Sequence, residues 1–216
     1  NMEQMMRREQ EFTANASHEL RTPLTAIRTS CELLLADPAL SGKARARAEQ
    51  INAAAARMTE QIQALFLLAR GQSLGETERV VLADCVGEAA EPYRGEIARK
   101  ALAFEVAVAP DAVLDLNYQA LRFVLTNLIR NAVQYTDHGF IRIGYAPKRL
   151  TVADSGRGIR PENLPRVFER FFRDVTSTGG LGLGLSIVKG ICDRYGWTIE
   201  VKSAPGAGSA FSIAFP

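Results

Sequence analysis

The sequence predicts an α+β protein in which an antiparallel helical hairpin, forming a dimeric four-helix bundle, precedes an α/β sandwich with a mixed sheet. Two long helical patterns joined by a short turn occupy residues 2–70 of the 216-residue chain. Apolar residues recur at heptad spacing along the second of them. From residue 80 onward, short strand patterns alternate with amphipathic helix patterns, which is typical of a sheet packed against helices.

The helical hairpin is predicted from a turn between two helical patterns. One helix covers residues 2–36, the turn covers residues 37–42, and the second helix runs from about Lys43 to Arg70. The apolar residues of the second helix are spaced alternately by four and three: Ala44, Ala48, Ile51, Ala55, Met58, Ile62, Leu65 and Ala69. A hairpin with one narrow apolar stripe on each helix buries little surface alone. We therefore expect a homodimer through residues 1–70.

The second predicted domain covers residues 80–216, after a polar, glycine-containing linker at residues 71–79. Its first helix is expected to begin near Asp84, as the N-cap residue, and to run towards Lys100. Further helices are expected at 118–135 and 183–195. The predicted strands lie at 80–82, 102–108, 112–116, 140–145, 150–153, 198–202 and 210–215. One mixed sheet covered on one side by helices fits this order.

His18 is the most informative residue of the first helix. At about 100° per residue, the apolar residues share one face and His18 points roughly 180° away from it, with Thr22 one turn further on. The apolar face consists of Phe12, Ala16, Leu20, Leu24, Ile27, Cys31 and Leu34. Pro23 disturbs the carbonyl of Glu19 and costs about 3 kcal/mol in a helix interior. The imidazole is thus available for chemistry, although a surface histidine needs no function.

Composition excludes several classes of function. A formal net charge of +2 favours neither nucleic acid nor an acidic partner. The three cysteines are widely spaced, form no metal-ligand pattern, and are expected to be buried, reduced thiols: Cys31, Cys85 and Cys192. No run of apolar residues approaches the 18 needed for a membrane span. Because the sequence opens without an initiator methionine, we expect a fragment whose missing N-terminal part holds sensor and membrane segments.

Two segments of the second domain carry side chains suited to a nucleotide. Asn127 and Asn131 lie four residues apart on a predicted helix, so their amides face the same side. Amide oxygens are hard ligands suited to Mg²⁺. Asp154 ends a predicted strand, where its carboxylate can accept a hydrogen bond from an exocyclic amine, as on adenine. Gly156 and Gly158 follow it and permit a turn with close backbone approach.

A third segment, residues 179–184, is a glycine-rich loop that runs into an apolar helix. Free N–H groups at such a helix start form an anion site for phosphates. Taken singly, paired asparagines also occur as helix-surface residues, an Asp-Ser-Gly-Arg-Gly run also occurs as a plain turn, and a glycine run is a weak signal. The chain has neither a P-loop nor a dinucleotide fingerprint. The occurrence of all three segments in this order favours a nucleotide site.

Together these motifs make the chain resemble the catalytic core of bacterial two-component sensor histidine kinases, over essentially all of its 216 residues. Five segments are similar to the boxes of that family: 17–23 to the H box, 127–131 to the N box, 154–158 to the G1 box, 168–173 to the F box and 180–184 to the G2 box. The resemblance implies that the second domain binds Mg-ATP and transfers its γ-phosphoryl group to His18. An aspartate of a response regulator would then receive that group.

The resemblance also implies roles for single residues. Glu19 can hold the proton on one imidazole nitrogen while the other attacks, and Glu19 with Thr22 would support dephosphorylation of the regulator by positioning a water. Asn127 and Asn131 would hold Mg²⁺. The implied nucleotide contacts are Asn127, Asn131, Tyr135, Asp154, Gly156, Gly158, Ile159, Phe172, Arg173, Gly180, Leu181, Gly182, Leu183, Gly184 and Leu185.

The chain departs from the family pattern at two places. Where the family often has a lysine or arginine that contacts phosphate, this chain has Gln134, which leaves that charge to Arg130 or Arg173. The lid between Phe172 and Gly180 is short. The partners implied are a second copy of the chain and the receiver domain of a response regulator, with no nucleic acid. The expected location is the cytoplasmic portion of a protein anchored in the bacterial inner membrane.

Two other functions remain open at this point. The first is an ATPase like the gyrase, mismatch-repair and chaperone relatives, which carry a water-activating glutamate where this chain has Asn127. The second is a dimeric scaffold that docks a regulator and has lost turnover through the changes at Gln134 and the lid.

Overall fold

The computed structural model describes residue 20 and residues 22–69, 77–172 and 182–216. The chain divides into two compact units, Asn1–Ser73 and Leu74–Pro216. His18, Glu19, Arg173, Gly180 and Leu181 lie outside the described residues. Among the helices that are described, none combines the length and the apolar character that a membrane crossing needs.

The first unit contains two helices joined by a tight turn, as predicted. Helix α1 includes residues 22–36, and helix α2 is Gly42–Ala69, so the turn is one residue shorter than expected. Within the turn, Asp37 Oδ1 accepts a hydrogen bond of 2.8 Å from the amide of Ala39. The guanidinium of Arg45 donates to the carbonyls of Leu35 and Asp37, each at 2.9 Å. Arg45 therefore satisfies carbonyls at the end of α1 that have no partner within the helix.

The apolar residues of this hairpin form two columns with seven-residue spacing. Leu24 and Cys31 of the first helix and Ala48 and Ala55 of the second are buried. The other column keeps between 42% and 52% of its surface exposed and consists of Leu20, Ile27, Leu34, Ile51 and Met58. Because residues seven apart lie on one side of a helix, one column packs inside the hairpin and the other remains uncovered.

The second unit contains seven strands and four α-helices in its described residues. The strands are β1 Glu78–Val81, β2 Ala103–Ala107, β3 Val113–Leu116, β4 Phe140–Ala146, β5 Arg149–Asp154, β6 Thr198–Ala204 and β7 Gly208–Ala214. The helices are α3 Leu82–Ala90, α4 Arg94–Arg99, α5 Tyr118–Tyr135 and α6 Gly184–Arg194, with 3-10 segments at Glu91–Tyr93 and Pro161–Arg166. Five strands form one sheet in the order β2-β4-β5-β7-β6, and β1 pairs with β3 separately. Strands β2 and β4 are parallel and the other pairs antiparallel, so the predicted mixed sheet is confirmed.

Helices cover one face of the sheet. Helix α5 contacts β4, β5 and α6, and α6 contacts β6. The fully buried side chains between the layers include Leu121, Leu125, Leu128 and Ile129 of α5 and Ile141, Ile143, Leu150 and Ile213 of the sheet. The opposite face carries polar cross-strand pairs, with Arg142 bound to Glu105 at 2.6 Å and Arg149 bound to Glu200 at 2.8 Å. Alternating apolar and polar residues along each strand produce this division.

The start of the second unit differs from the prediction. Strand β1 begins at Glu78, inside the segment expected to be linker, and Leu82 is the first residue of α3 rather than the last of a strand. Asp84 is not the N-cap residue, because the helix already begins at Leu82 with Val81 at its N-cap. The expected single helix is also broken into α3, a 3-10 turn and α4, since Pro92 has no N–H to continue the helical hydrogen bonds. The three cysteines are buried, as predicted.

Candidate nucleotide-binding site

Helix α5 carries the two predicted asparagines. Asn117 caps this helix by accepting a hydrogen bond of 2.9 Å from the amide of Ala120. Asn127 is buried, and its Nδ2 donates to the carbonyl of Phe123 at 3.0 Å. That bond turns its Oδ1 towards Arg130, whose Nη2 donates to it at 2.8 Å. Asn131 lies one turn further along α5 and is half-buried.

The start of helix α6 lies directly against Asn127 and Arg130. A Cβ added to Gly184 would lie 2.9 Å from Asn127 Oδ1 and 2.7 Å from Arg130 Nη2, so only glycine allows this approach without displacement. Leu183 occupies the N-cap position and forms no side-chain cap hydrogen bond. The first amides of α6 have no acceptors within the helix and carry its positive dipole end. Because residue 184 is a glycine, the Asn127 amide oxygen and the Arg130 guanidinium can lie close to the N-terminus of α6.

Asp154 ends strand β5 beside a second set of backbone donors. Its carboxylate is buried, and Oδ1 accepts hydrogen bonds from the amides of Gly156 at 2.9 Å and Ser209 at 3.3 Å. Burial raises the pKa of the Asp154 carboxyl, and the two amide donors oppose that rise in part. The side chain is thus held by backbone groups of the turn after β5 and of β7.

Gly156 brings Asp154 against the end of helix α5. A Cβ at Gly156 would lie 2.8 Å from Thr136 Oγ1 and 2.9 Å from Asp154 Oδ1. The amide of Arg157 donates to the carbonyl of Tyr135 at 3.2 Å. The Thr136 hydroxyl is buried and has no hydrogen-bond partner within the described part of the chain. A buried hydroxyl without a partner is costly, so this atom is ready to bond a ligand or water.

A cavity of about 380 Å³ opens beside this turn. Two residues of the predicted nucleotide set, Tyr135 and Gly156, line it, together with Gln134, Asp137, His138, Ser155, Arg157 and Gly206. The Arg157 guanidinium lies 4.6 Å from the centre of the Tyr135 ring. The Tyr135 ring therefore forms a wall of the cavity beneath a cation.

The residues on either side of the predicted lid are joined to each other. The amide of Phe171 donates to the carbonyl of Gly182 at 3.0 Å. Gly182 has a φ of +69°, and a Cβ there would lie 2.6 Å from the carbonyl oxygen of Phe172. The Arg166 guanidinium lies over the ring of Phe172 at 4.7 Å. Phe172 and Gly182, both predicted site residues, are therefore adjacent.

The remaining predicted residues fall into two groups. Gly158, with a φ of +70°, and Ile159 lie against strand β6, where the Ile159 amide donates to Ser203 Oγ at 2.8 Å. Leu183 and Leu185 flank Gly184 at the start of α6 and are half-buried. Thr22 is exposed on α1. The other two predicted catalytic residues, and three of the predicted nucleotide contacts, are those outside the described residues.

Sequence reasoning missed two residues of this site. Thr136 directly follows the predicted Tyr135, yet nothing in the local pattern indicates that its hydroxyl is buried against Gly156. Ser209 supplies an amide to Asp154 from a strand that is distant in sequence. The predictions rest on local patterns in the sequence, such as side chains at helical spacing. These two contacts depend instead on how α5, β5 and β7 pack together.

Comparison with protein families gives the class of each unit. Residues 8–74 match the His Kinase A (phospho-acceptor) domain. Residues 117–216 match the family described as histidine kinase-, DNA gyrase B-, and HSP90-like ATPase. A phosphoacceptor hairpin followed by an ATP-binding domain of this kind defines the catalytic core of a histidine kinase. The chain therefore contains the catalytic core of a two-component histidine kinase.

Individual relatives agree with this family. The phosphate regulon sensor protein PhoR of Pseudomonas aeruginosa is 36% identical over 227 residues, which cover 99% of this chain and 51% of PhoR. The sensor-like histidine kinase SenX3 of Mycobacterium bovis is 37% identical over 220 residues, which cover 95% of this chain and 53% of SenX3. The chain thus spans about half the length of these relatives.

Solved structures of histidine kinases are also similar. Full-length ShkA, determined in complex with AMPPNP, superposes with a TM-score of 0.69 at 27% identity, covering 95% of this chain and 45% of that one. The mycobacterial sensor histidine kinase MprB superposes with a TM-score of 0.55 at 28% identity, covering 64% of this chain and 97% of that one.

Proposed function

We propose that this chain transfers the γ-phosphoryl group of Mg-ATP to His18 and then to an aspartate in the receiver domain of a response regulator. The observation that carries the proposal is the contact of Asn127 and Arg130 with Gly184 at the start of α6. This contact brings together an amide oxygen, which is a ligand suited to Mg²⁺, a cation and a helix N-terminus, and such a group suits a polyphosphate. The match of residues 8–74 to a phosphoacceptor domain supports His18 as the acceptor.

Adenine recognition is assigned to Asp154 and Thr136. In its ionised form Asp154 accepts a hydrogen bond from the exocyclic amine, while the carbonyl of guanine at that place would be repelled. Thr136 contributes the buried hydroxyl that has no partner within the described residues. The nearby contacts proposed from the family pattern are Tyr135, Gly156, Gly158, Ile159 and Leu185.

Phosphate binding is assigned to the start of α6 and to the segments beside it. The proposed contacts are Phe172, Arg173, Gly180, Leu181, Gly182, Leu183 and Gly184. Asn127 and Asn131 would hold Mg²⁺, and amide oxygens suit this hard cation. When bound, Mg²⁺ neutralises charge on the β- and γ-phosphates. Among the described residues, no group of three or more histidine, cysteine or acidic side chains is placed to hold a metal ion.

The acceptor chemistry is assigned to His18, Glu19 and Thr22. A neutral imidazole of His18 attacks the γ-phosphorus through one nitrogen, a nitrogen–phosphorus bond forms, and the bond to the departing ADP oxygen breaks. Glu19 holds the proton on the other imidazole nitrogen, which makes the attacking nitrogen more nucleophilic. Glu19 and Thr22 together are proposed to position a water that removes the phosphoryl group from the regulator.

We further propose that residues 1–70 form a homodimer. The support is the uncovered column of the hairpin, of which Ile27, Ile51 and Met58 are members. Burying this column against its copy would remove apolar surface from water at about 25 cal/mol per Å². Light scattering tests the dimer: twice the 23.6 kDa mass is expected, and a monomer mass would contradict it.

The domain limits and the location are also proposals. Residues 1–70 would be the dimerisation and phosphotransfer hairpin, and the ATP-binding domain would begin with β1 at Glu78. On the family resemblance alone, the chain would be the cytoplasmic portion of a protein anchored in the bacterial inner membrane.

Incubation with γ-labelled ATP and Mg²⁺ tests the transfer. We expect acid-labile label on the wild-type chain and none on His18→Gln. His138 is the chain's other histidine and lines the cavity beside Gly156, so His138→Gln is compared at saturating ATP, where it should still carry the label. Phosphate release without any labelled protein would instead indicate a superfamily ATPase. Unlabelled protein that still binds a response regulator would indicate a scaffold.

A further inference from the structure

We propose that Arg130 contacts a phosphate of the bound nucleotide. Without ligand, its guanidinium is hydrogen-bonded to the Asn127 amide oxygen, and it leaves that oxygen when metal and nucleotide bind. This role depends on the proposed function and adds a residue and a movement to it. In the described structure the guanidinium donates to the same oxygen that is assigned to the metal. The guanidinium and a bound metal ion therefore compete for the Asn127 amide oxygen.

The orientation of the Asn127 amide supports this competition. Its Nδ2 group donates to the Phe123 carbonyl within α5, so the oxygen faces the start of α6. Arg130 Nη2 and Asn127 Oδ1 are both close to the position that a Gly184 side chain would occupy. A metal ion bound at Oδ1 would therefore lie within a few ångströms of the guanidinium. Two cations at that separation repel each other strongly in a partly buried site.

The charges around Gly184 indicate where the guanidinium goes. The side chain of Arg130 and the N-terminus of α6 are both positive and point to the same place, which favours an anion between them. Two oxygens of a phosphate there would accept two parallel N–H bonds from the guanidinium. The long arginine side chain can make this move by rotating its own bonds, while the backbone of α5 stays in place.

Arg122 provides a matched control for Arg130. Both are arginines of helix α5, separated by about two helical turns. Arg122 is exposed, and its Nε lies 3.9 Å from Glu88 Oε2, away from Gly184. Removing the charge at position 122 changes the helix charge by the same amount as removing it at position 130.

Calorimetric binding of ATP, ADP and adenosine to the full 216-residue chain, at saturating Mg²⁺ and with His18→Gln in every variant to prevent transfer, tests the phosphate contact. For Arg130→Met we expect the Kd of ATP and of ADP to rise about tenfold or more, because a hydrogen bond to a charged group is lost. The Kd of adenosine should change less than twofold. Arg130→Lys should retain most of the affinity, and Arg122→Met should match the wild type. An equal loss for adenosine, or no loss for ATP, would overturn the contact.

A titration with Mn²⁺ at saturating ADP tests the exchange at Asn127. Without the competing guanidinium, Arg130→Met should reach half-saturation at about threefold lower Mn²⁺ than the wild type, while Arg122→Met should not shift. An unchanged or higher Mn²⁺ requirement in Arg130→Met would overturn the exchange. Failure of the proposed function is seen separately from both results, as a wild-type chain that binds no ATP or that carries no acid-labile label after incubation with γ-labelled ATP.

Discussion

The two ends of the candidate site are built differently. At the Asp154 end, the carboxylate is held by the backbone amides of Gly156 and Ser209. At the Asn127 end, the amide oxygen is held by the guanidinium of Arg130, a flexible side chain. These backbone donors cannot move without moving strand β7 or the turn after β5, whereas an arginine side chain can rotate away. On the proposed assignment, a rigid acceptor, Asp154, would meet the base, and an adaptable donor, the Arg130 guanidinium, would meet the phosphates.

Loss of the rigid acceptor should have the largest effect. Asp154→Ala removes the proposed acceptor for the adenine amine and leaves two backbone donors without their partner. Hydrogen bonds to charged groups contribute about 1.5–3 kcal/mol each, so we expect the Kd of ATP to rise roughly 100-fold. Because the contact is to the base, calorimetry should give the same factor for adenosine. A loss of affinity confined to ATP and ADP would place Asp154 at the phosphates and would contradict the proposed difference between the two ends of the site.

A smaller loss of ATP affinity is expected from a substitution at the contact between α6 and α5. Gly184→Ala places a methyl group 2.9 Å from Asn127 Oδ1 and 2.7 Å from Arg130 Nη2, so one of the two must shift. We expect the Kd of ATP to rise about tenfold, roughly the loss of one hydrogen bond, with adenosine nearly unchanged. Gly87→Ala, in α3, is the control because a Cβ there meets nothing within 4 Å. If both variants bind ATP like the wild type, the contact at Gly184 has no role in binding.

The smallest effect should be the change with pH of the folding stability and of the adenosine affinity that depend on Asp154. Burial is the main cause that raises the pKa of Asp154 in the folded chain, and the amides of Gly156 and Ser209 oppose it. The folded state therefore takes up this proton at a higher pH than the unfolded state does. The contribution of Asp154 to folding is fully present below its unfolded pKa and decreases as the pH rises through its folded pKa.

Adenosine binding should have the opposite dependence, because only the ionised carboxylate accepts the amine. As the pH falls through the raised pKa of Asp154, we expect the affinity for adenosine to decrease several-fold, while the thermal stability contributed by this group increases. Asp154→Asn should lose this dependence. Adenosine affinity that stays constant down to the ordinary range of an aspartate would contradict the role of the carboxylate.

Much of the fold could be predicted because its signals are local. Helix α5 has the predicted limits, since Asn117 caps its start and the apolar residues repeat at helical spacing. The sheet strands could be predicted from their alternation. The stretch from Leu82 to Lys100 could not, because Pro92 divides it and the prediction extended one helix across that residue.

The candidate site could be predicted only in part. The spacing of Asn127 and Asn131 and the position of Asp154 at a strand end were sufficient to select them. Neither the partner of Asn127 nor the burial of Thr136 could be derived in this way. In the sequence, Arg130 has several possible hydrogen-bond partners on α5. Only the close approach of Gly184 shows that its guanidinium lies with the Asn127 amide oxygen at the start of α6.

The sequence by itself determined the secondary structure of the sandwich from β2 onward, the heptad columns of the hairpin and the residue types of the candidate nucleotide site, since these follow from short-range periodicity and turn chemistry. Only the tertiary structure decided which side chains meet. The contact of Gly184 with Asn127, the Ser209 amide on Asp154 and the burial of the Thr136 hydroxyl against Gly156 each bring together residues of different elements. Their positions depend on how closely α5, α6 and the sheet pack, and close packing is a property of the whole domain rather than of any segment.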